Sequence, residues 1–259
     1  MQTTRARGVV LLMPWIASAI LLALSILITV LAIFLEPSDV QCVRRNFVWS
    51  PATDQIEYHW ETWADNDFFT KSRFFGLEPT QEIEDAWSEI LPEHPISIPA
   101  SKLGALNQSY PADDGDWIRD PEDPDAILGI PEYAAQLGCL NYLRQWSYSA
   151  QRDYSYLASF QSSDRVAQWE RAHRCLERLR QAVMCWSDTG SLIKYWPDKN
   201  AAADRPGEVL HYDMGTYHYC RDFDKIQDWT RANSVKSVRM QNLWWSGDED
   251  VLCKTYGIC

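Results

Sequence analysis

From Gly8 to Leu35 no residue carries a charge, and within that run "IASAILLALSILITVLAIFL" is almost wholly aliphatic. The run exceeds the roughly 20 residues a helix needs to cross about 30 Å of hydrocarbon. It also exceeds the apolar stretch of about 7 to 15 residues in a cleavable signal. The pattern predicts a short tail (1–7), a retained single-pass anchor (8–35) and a body (36–259).

Beyond the anchor the periodicity changes. "FVWSPATDQIEYHWETWADNDFFTKSRFFG" has recurring aromatics and few helix signals, so extended or irregular structure is expected. Pro79 and Thr80 lead into "QEIEDAWSEIL", where Ile83, Trp87 and Ile90 or Leu91 form one apolar helical stripe. Seven prolines between Pro92 and Pro131 then exclude any long regular element.

Two longer helices follow. In "PEYAAQLGCLNYLRQWSYSAQRDY" Pro131 suits a first turn, and Leu137, Leu140 and Tyr142 or Leu143 recur at helical spacing. "SSDRVAQWERAHRCLERLRQAVMCW" starts with a capping candidate, Ser162, Ser163 or Asp164, and places Trp169, Ala172, Leu176, Leu179 and Val183 on one side. Their short connection implies antiparallel packing. A further helix is expected over 222–232. The fold class is therefore mainly α: a transmembrane helix and a mostly helical domain with long irregular loops and a few short strands.

Composition narrows the function. A formal net charge of -12 argues against a nucleic-acid partner, which needs a basic face. The acidic stretch "PADDGDWIRDPEDPD" reads as a solvated loop. The chain's 13 Trp, 12 Tyr and 8 Phe lie beyond the anchor except for Trp15 and Phe34, so the body can furnish both a packed core and an aromatic pocket for an apolar or peptidic ligand. Arg5 and Arg7 on one flank of the anchor balance Arg44 and Arg45 on the other, so flanking charge does not orient it. All seven cysteines and the sequon Asn107-Gln108-Ser109 lie beyond the anchor, which favours a luminal or extracellular body, glycosylated at Asn107, over a cytosolic one with free thiols.

The two long helices share a heptapeptide: "CLNYLRQ" from Cys139 and "CLERLRQ" from Cys175. With "FFGLEPTQEIEDAWSEIL", "AVMCWSD", "HYCRDFDKIQDW" and the N-terminal anchor, in this order, the chain resembles the fungal UstYa-like family of mycotoxin and cyclic-peptide biosynthesis. The resemblance covers roughly residues 70–232. It implies a membrane-anchored protein acting on a peptide or polyketide-type small molecule, alone or as a homo- or hetero-oligomer with another such protein. It also implies His-x-x-His-Cys on each helix, with the histidines binding a metal, generally copper, for oxidation or oxidative cyclisation.

Every one of those ligand positions is altered. Before Cys139 they are Ala135 and Gly138; before Cys175 they are Arg171 and Arg174. The first two have no donor, and a guanidinium stays protonated and only donates. No metal is therefore expected there, and copper only at a displaced site drawn from His218, His211, Asp213, His59 or His94. His173 is one residue out of register, about 100° around the helix.

The sequence leaves two functions open. One is an oxidation or a metal-independent cyclisation or isomerisation, with Arg171, Arg174, His173 and His218 as candidate catalytic residues and the arginines as a cationic pocket, unless they pair with Glu170, Glu177 or the acidic loop. The other is a non-catalytic partner of an intact oxidase. Cys139 and Cys175 either bond to each other or reach elsewhere; Cys185–Cys220 and Cys253–Cys259 are candidate pairs, leaving Cys42 over.

Overall fold

The computed structural model describes residues 3–34, 37–63, 72–108, 117–160, 165–191, 193–195, 211–213 and 215–240. The capping candidates 162–164, the first part of the acidic loop (111–116), Cys253 and Cys259 lie outside them. The chain divides into two compact units, Met1–Phe47 and Val48–Cys259.

The first unit is α1 (Thr3–Phe34) and α2 (Asp39–Asn46). Within α1, Met13–Phe34 is long and apolar enough to cross a membrane. Two of its hydroxyls are satisfied locally: Ser18 and Thr29 donate to the carbonyls of Pro14 and Ser25, each at 2.8 Å. Ser38 and Gln41 close a capping box on α2.

The second unit combines four α-helices with three antiparallel strand pairs among its described residues. Its elements are β1 (Tyr58–Thr62), α3 (Gln81–Glu89), β2 (Ile96–Pro99), β3 (Ala126–Gly129), α4 (Glu132–Ser147), α5 (Arg165–Trp186), β4 (Ile193–Tyr195), β5 (His211–Asp213), β6 (Tyr217–Arg221) and α6 (Phe223–Ala232). β1 pairs with β6, β2 with β3 and β4 with β5. Thr80 caps α3 by accepting the Ile83 N–H, and Asp222 caps α6 by accepting the Lys225 N–H.

α4 and α5 form the centre. Cys139 and Cys175 are joined by a disulfide with Cα atoms 4.9 Å apart. The Tyr142 hydroxyl donates to the Gln168 carbonyl at 2.9 Å, and Arg178 donates to both oxygens of Glu132 at 3.1 and 2.8 Å. Higher numbers on α4 thus meet lower numbers on α5, so the helices are antiparallel. Adding the 36-residue separation of the cysteines converts Tyr142 to Arg178 and Glu132 to Gln168. The two interhelical bonds are therefore images of each other, and a local two-fold passes through the disulfide. The core gathers beside it: Cys139, Tyr142, Tyr154, Phe160, Ala172 and Cys175 are buried, with Leu143 and Leu179 packed against them.

The disulfide also corrects the expected face of α5. Ala172 and Cys175 are buried and Leu179 partly so, but Trp169, Leu176 and Val183 are 54%, 51% and 72% exposed. Fixing Cys175 against α4 turns the 168/172/175/179 stripe inward and the bulkier stripe outward.

α3 docks on α4 through a buried carboxylate. Glu84, 6% exposed, receives Arg144 at 2.8 and 2.6 Å, Gln145 at 3.1 Å and the Tyr154 hydroxyl at 2.8 Å. Burial alone would raise the Glu84 pKa, but the bonds from Arg144, Gln145 and Tyr154 outweigh it and hold the pKa below its ordinary value. The same burial and carboxylate push the Tyr154 phenol up to about 12.

Removing one member of such a pair leaves the other uncompensated, so Glu84→Ala is expected to lower the unfolding free energy by about 3–5 kcal/mol in chemical denaturation. A folded pKa below the unfolded one contributes stability above the unfolded value, near 4.5, and that contribution fades as pH falls through the depressed folded value. Unfolding followed between pH 7 and pH 3 should therefore lose stability more steeply in the parent than in Glu84→Gln.

Candidate functional site

The altered ligand positions sit around the two-fold. Ala135 is buried and Gly138 half-buried on α4, and neither carries a donor. On α5 Arg171 donates to the Ser159 carbonyl and its guanidinium lies 5.8 Å from the Tyr142 ring. Arg174 approaches Glu170 at 3.9 Å. A His-ligated metal does not fit this set, because the two α5 positions present cations that are already engaged. His173 is exposed and lies against Trp169, ring centroids 3.8 Å apart, on the outward side of α5.

His218 has different surroundings. On β6 it is registered opposite Glu61 of β1, and Cys220 is registered opposite His59. Cross-strand partners and alternate residues share a face, so His59, Glu61, His218 and Cys220 all lie on one side of the pair. The other side carries Tyr58, Trp60, Tyr217 and Tyr219 in mutual ring contact.

On the polar side, His218 Nδ1 meets Asp188 Oδ2 at 2.6 Å. Trp63 stacks on the imidazole, centroids 3.8 Å apart and planes 13° from parallel. Asp188 lies two residues past α5; the Gly190 N–H donates to it at 2.7 Å and, with His218, holds its carboxyl below its usual value. An ionised Asp188 fixes the proton on Nδ1 and leaves Nε2 as the basic nitrogen of neutral His218. That side chain is 9% exposed, and its Nε2 is buried with no hydrogen-bond partner among the described residues. Burial, followed by the charge and hydrogen bond of Glu61, raises the Cys220 thiol pKa.

The candidates for a displaced metal site are divided. His59, half exposed and 3.7 Å from Glu61, shares the His218 face. His94 Nδ1 donates to the Val238 carbonyl at 2.8 Å instead. His211 and Asp213 pair within β4–β5, and their side chains lie outside the described residues. Among the described residues no group of three or more His, Cys, Asp or Glu could hold a metal ion.

Cys42, Cys185 and Cys220 are free thiols. The Cys185–Cys220 pair is thereby corrected: Cys185 is exposed on α5, whereas Cys220 sits half-buried beside Glu61. Asn107 is exposed and left-handed, with φ 54°, where the 3-10 turn 100–106 ends.

A membrane-length apolar helix is followed in this chain by a disulfide-clasped, internally two-fold helix pair. Residues 2–233 match the family described as mycotoxin biosynthesis protein UstYa, and the chain belongs to that family. It is 28% identical over 201 residues to the "UstYa family oxidase phomYc" of Diaporthe leptostromiformis, covering 78% of this chain and 75% of that one. It is 25% identical over 208 residues to "UstYa family oxidase phomYc'" of the same fungus, covering 80% and 70%. Over 207 residues it is 27% identical to "Transacylase cctO" of Talaromyces islandicus, covering 77% and 64%. No solved structure matches.

If the clasp sets the helix pair, its loss is expected to destabilise without abolishing secondary structure. For a closure of 36 residues, Cys139→Ala/Cys175→Ala should lower the unfolding free energy by about 3–4 kcal/mol in denaturant titration.

Proposed function

We propose that the protein is a membrane-anchored tailoring enzyme of a fungal secondary-metabolite pathway, and that it closes or rearranges a ring in a peptide or polyketide-type intermediate by proton transfer at His218. The observation that carries the reading is a histidine oriented by a carboxylate through Nδ1 while its Nε2 is buried without a partner among the described residues. A base so held takes a proton from a substrate C–H, N–H or O–H group and returns it at a second position. Asp188 is the positioning residue: it fixes the tautomer and the orientation of the ring. Trp63 offers an aromatic wall, and Glu61 supplies a second carboxylate on the same face.

The family's oxidases would place chemistry on the helix pair. Here Ala135, Gly138, Arg171 and Arg174 supply no metal donor, so the proposed reaction proceeds without a His-ligated metal at that position. A second reading, a non-catalytic partner of an intact relative, draws on the same loss of donors within a retained framework. The body is assigned to the secretory lumen or the cell exterior, in keeping with the clasp at Cys139–Cys175 and the exposed Asn107 sequon.

Point variants at the native locus, read by metabolite profiling with immunoblots for abundance, test this directly. His218→Gln is expected to reduce product by about 10²-fold or more, and Asp188→Asn by about 10-fold or more, at unchanged abundance. Product retained in both variants but lost on gene deletion would replace the enzyme reading with the partner reading. Loss confined to Arg171→Ala/Arg174→Ala would move the chemistry to the helix pair.

A further inference from the structure

The local two-fold relates more than the interhelical contacts. Arg144 and Gln145 of the first heptapeptide are the images of Arg180 and Gln181 of the second. Both dipeptides do the same thing: each clamps a carboxylate. On α4 the carboxylate is Glu84 of α3, and Nε of Arg144 is taken by Asn141 at 2.9 Å. On α5 the image of Asn141 is Glu177, which receives Arg180 at 2.8 and 2.6 Å and Gln181 at 2.7 Å, while Arg180 Nη1 donates to Met184 Sδ at 2.7 Å. The two clamps differ in cover. The Arg144 side chain is 11% exposed beneath α3, whereas that of Arg180 is 53% exposed. Around Arg180 the surface is apolar: Leu176, Val183 and Met184 are 51%, 72% and 62% exposed.

We propose that this face of α5 docks an amphipathic helix of a partner protein in the way α4 docks α3. The required chemistry is set by the internal precedent. α3 presents Glu84 to the clamp, Trp87 three residues later with Arg144 5.4 Å from its ring, and a buried Ile83 beside them. The partner helix accordingly carries a carboxylate with an aromatic residue at i+3 and an aliphatic neighbour. It displaces Glu177 from Arg180 and covers Leu176 and Val183, exchanging an exposed ion pair, which is screened by water, for a desolvated bidentate one. This surface is independent of the proton-transfer chemistry assigned to His218.

The test uses full-length protein in detergent micelles and a fluorescein-labelled, helix-stapled peptide of residues 79–92, "PTQEIEDAWSEILP", read by anisotropy. The chain's own α3 holds the α4 clamp at the high effective concentration of a tethered segment, which directs added peptide to α5. Saturable binding is expected, weakened about 10-fold or more by Arg180→Ala or by Glu84→Gln in the peptide, and tightened several-fold by Glu177→Asn, which recreates the α4 arrangement. The substituted residues are exposed, and unchanged melting of each variant by circular dichroism establishes that the fold is kept. No saturable binding to Glu177→Asn, or binding indifferent to Arg180→Ala, overturns the proposal. Self-association of the unliganded chain abolished by Val183→Asp would make a second copy the occupant and overturn it as well.

Discussion

The bond between Cys139 and Cys175 is the constraint from which the rest of the globular unit follows. A crosslink between equivalent residues of an internal repeat, on antiparallel helices, suits a local two-fold through the bond, and the mirrored Tyr142–Gln168 and Glu132–Arg178 contacts fall on it. The rotation of both helices is then fixed, and every later choice inherits it. Gln168, Ala172 and Leu179 face α4; Trp169, Leu176 and Val183 face away. Tyr142 meets Gln168 and Arg178 meets Glu132 because they are images of one contact. The Tyr142 interaction is shielded by Phe160 and Tyr154 and belongs to the core, whereas the Arg178 pair is about half exposed and contributes little.

The symmetry is broken where the two helices meet different neighbours. Asn141 leaves two Arg144 nitrogens for Glu84, so α3 is anchored by a buried, multiply bonded carboxylate. A charge so placed is stable only because Arg144, Gln145 and Tyr154 together replace its hydration. Docking α3 in turn pins the segment before it, through Trp87 to the Phe74 carbonyl and Tyr148 to the Gly76 carbonyl. Glu177, the image of Asn141, keeps the second clamp satisfied without any such neighbour.

Much of this was legible in the residues. Helical periodicity found α3, α4 and α5, Pro79 and Thr80 marked the start of α3, and α6 was expected over 222–232. The repeat pointed to Cys139 and Cys175 and to their mutual bond as one of two alternatives, because spacing leaves connectivity open. The inward face of α5 was misread because apolar residues outnumber polar ones on the face that the disulfide turns outward. At the candidate site His218 was visible from its place in "HYCRDFDKIQDW". Asp188 closes the segment "AVMCWSD" but was not singled out, because it lies 30 positions from His218 in a turn without periodic signal. Glu61 and Trp63 acquire meaning only from the β1–β6 register, which pairs segments more than 150 residues apart.

The emptied ligand positions and the His218 face need not share a function, because the architecture separates them. From Arg174 to Trp186 α5 advances twelve residues, about 18 Å, before the chain turns to present Asp188. Arginine at positions 171 and 174 supplies no metal donor, and the disulfide and the core stand without one. The C-terminal end of α5 is held independently: Arg221 of β6 lies 4.8 Å from the Trp186 ring. The packing of the helix pair rests on the Cys139–Cys175 bond and on the core gathered beside it. Its C-terminal end continues to deliver Asp188 to His218, so a change in chemistry at one end of α5 carries no structural penalty at the other.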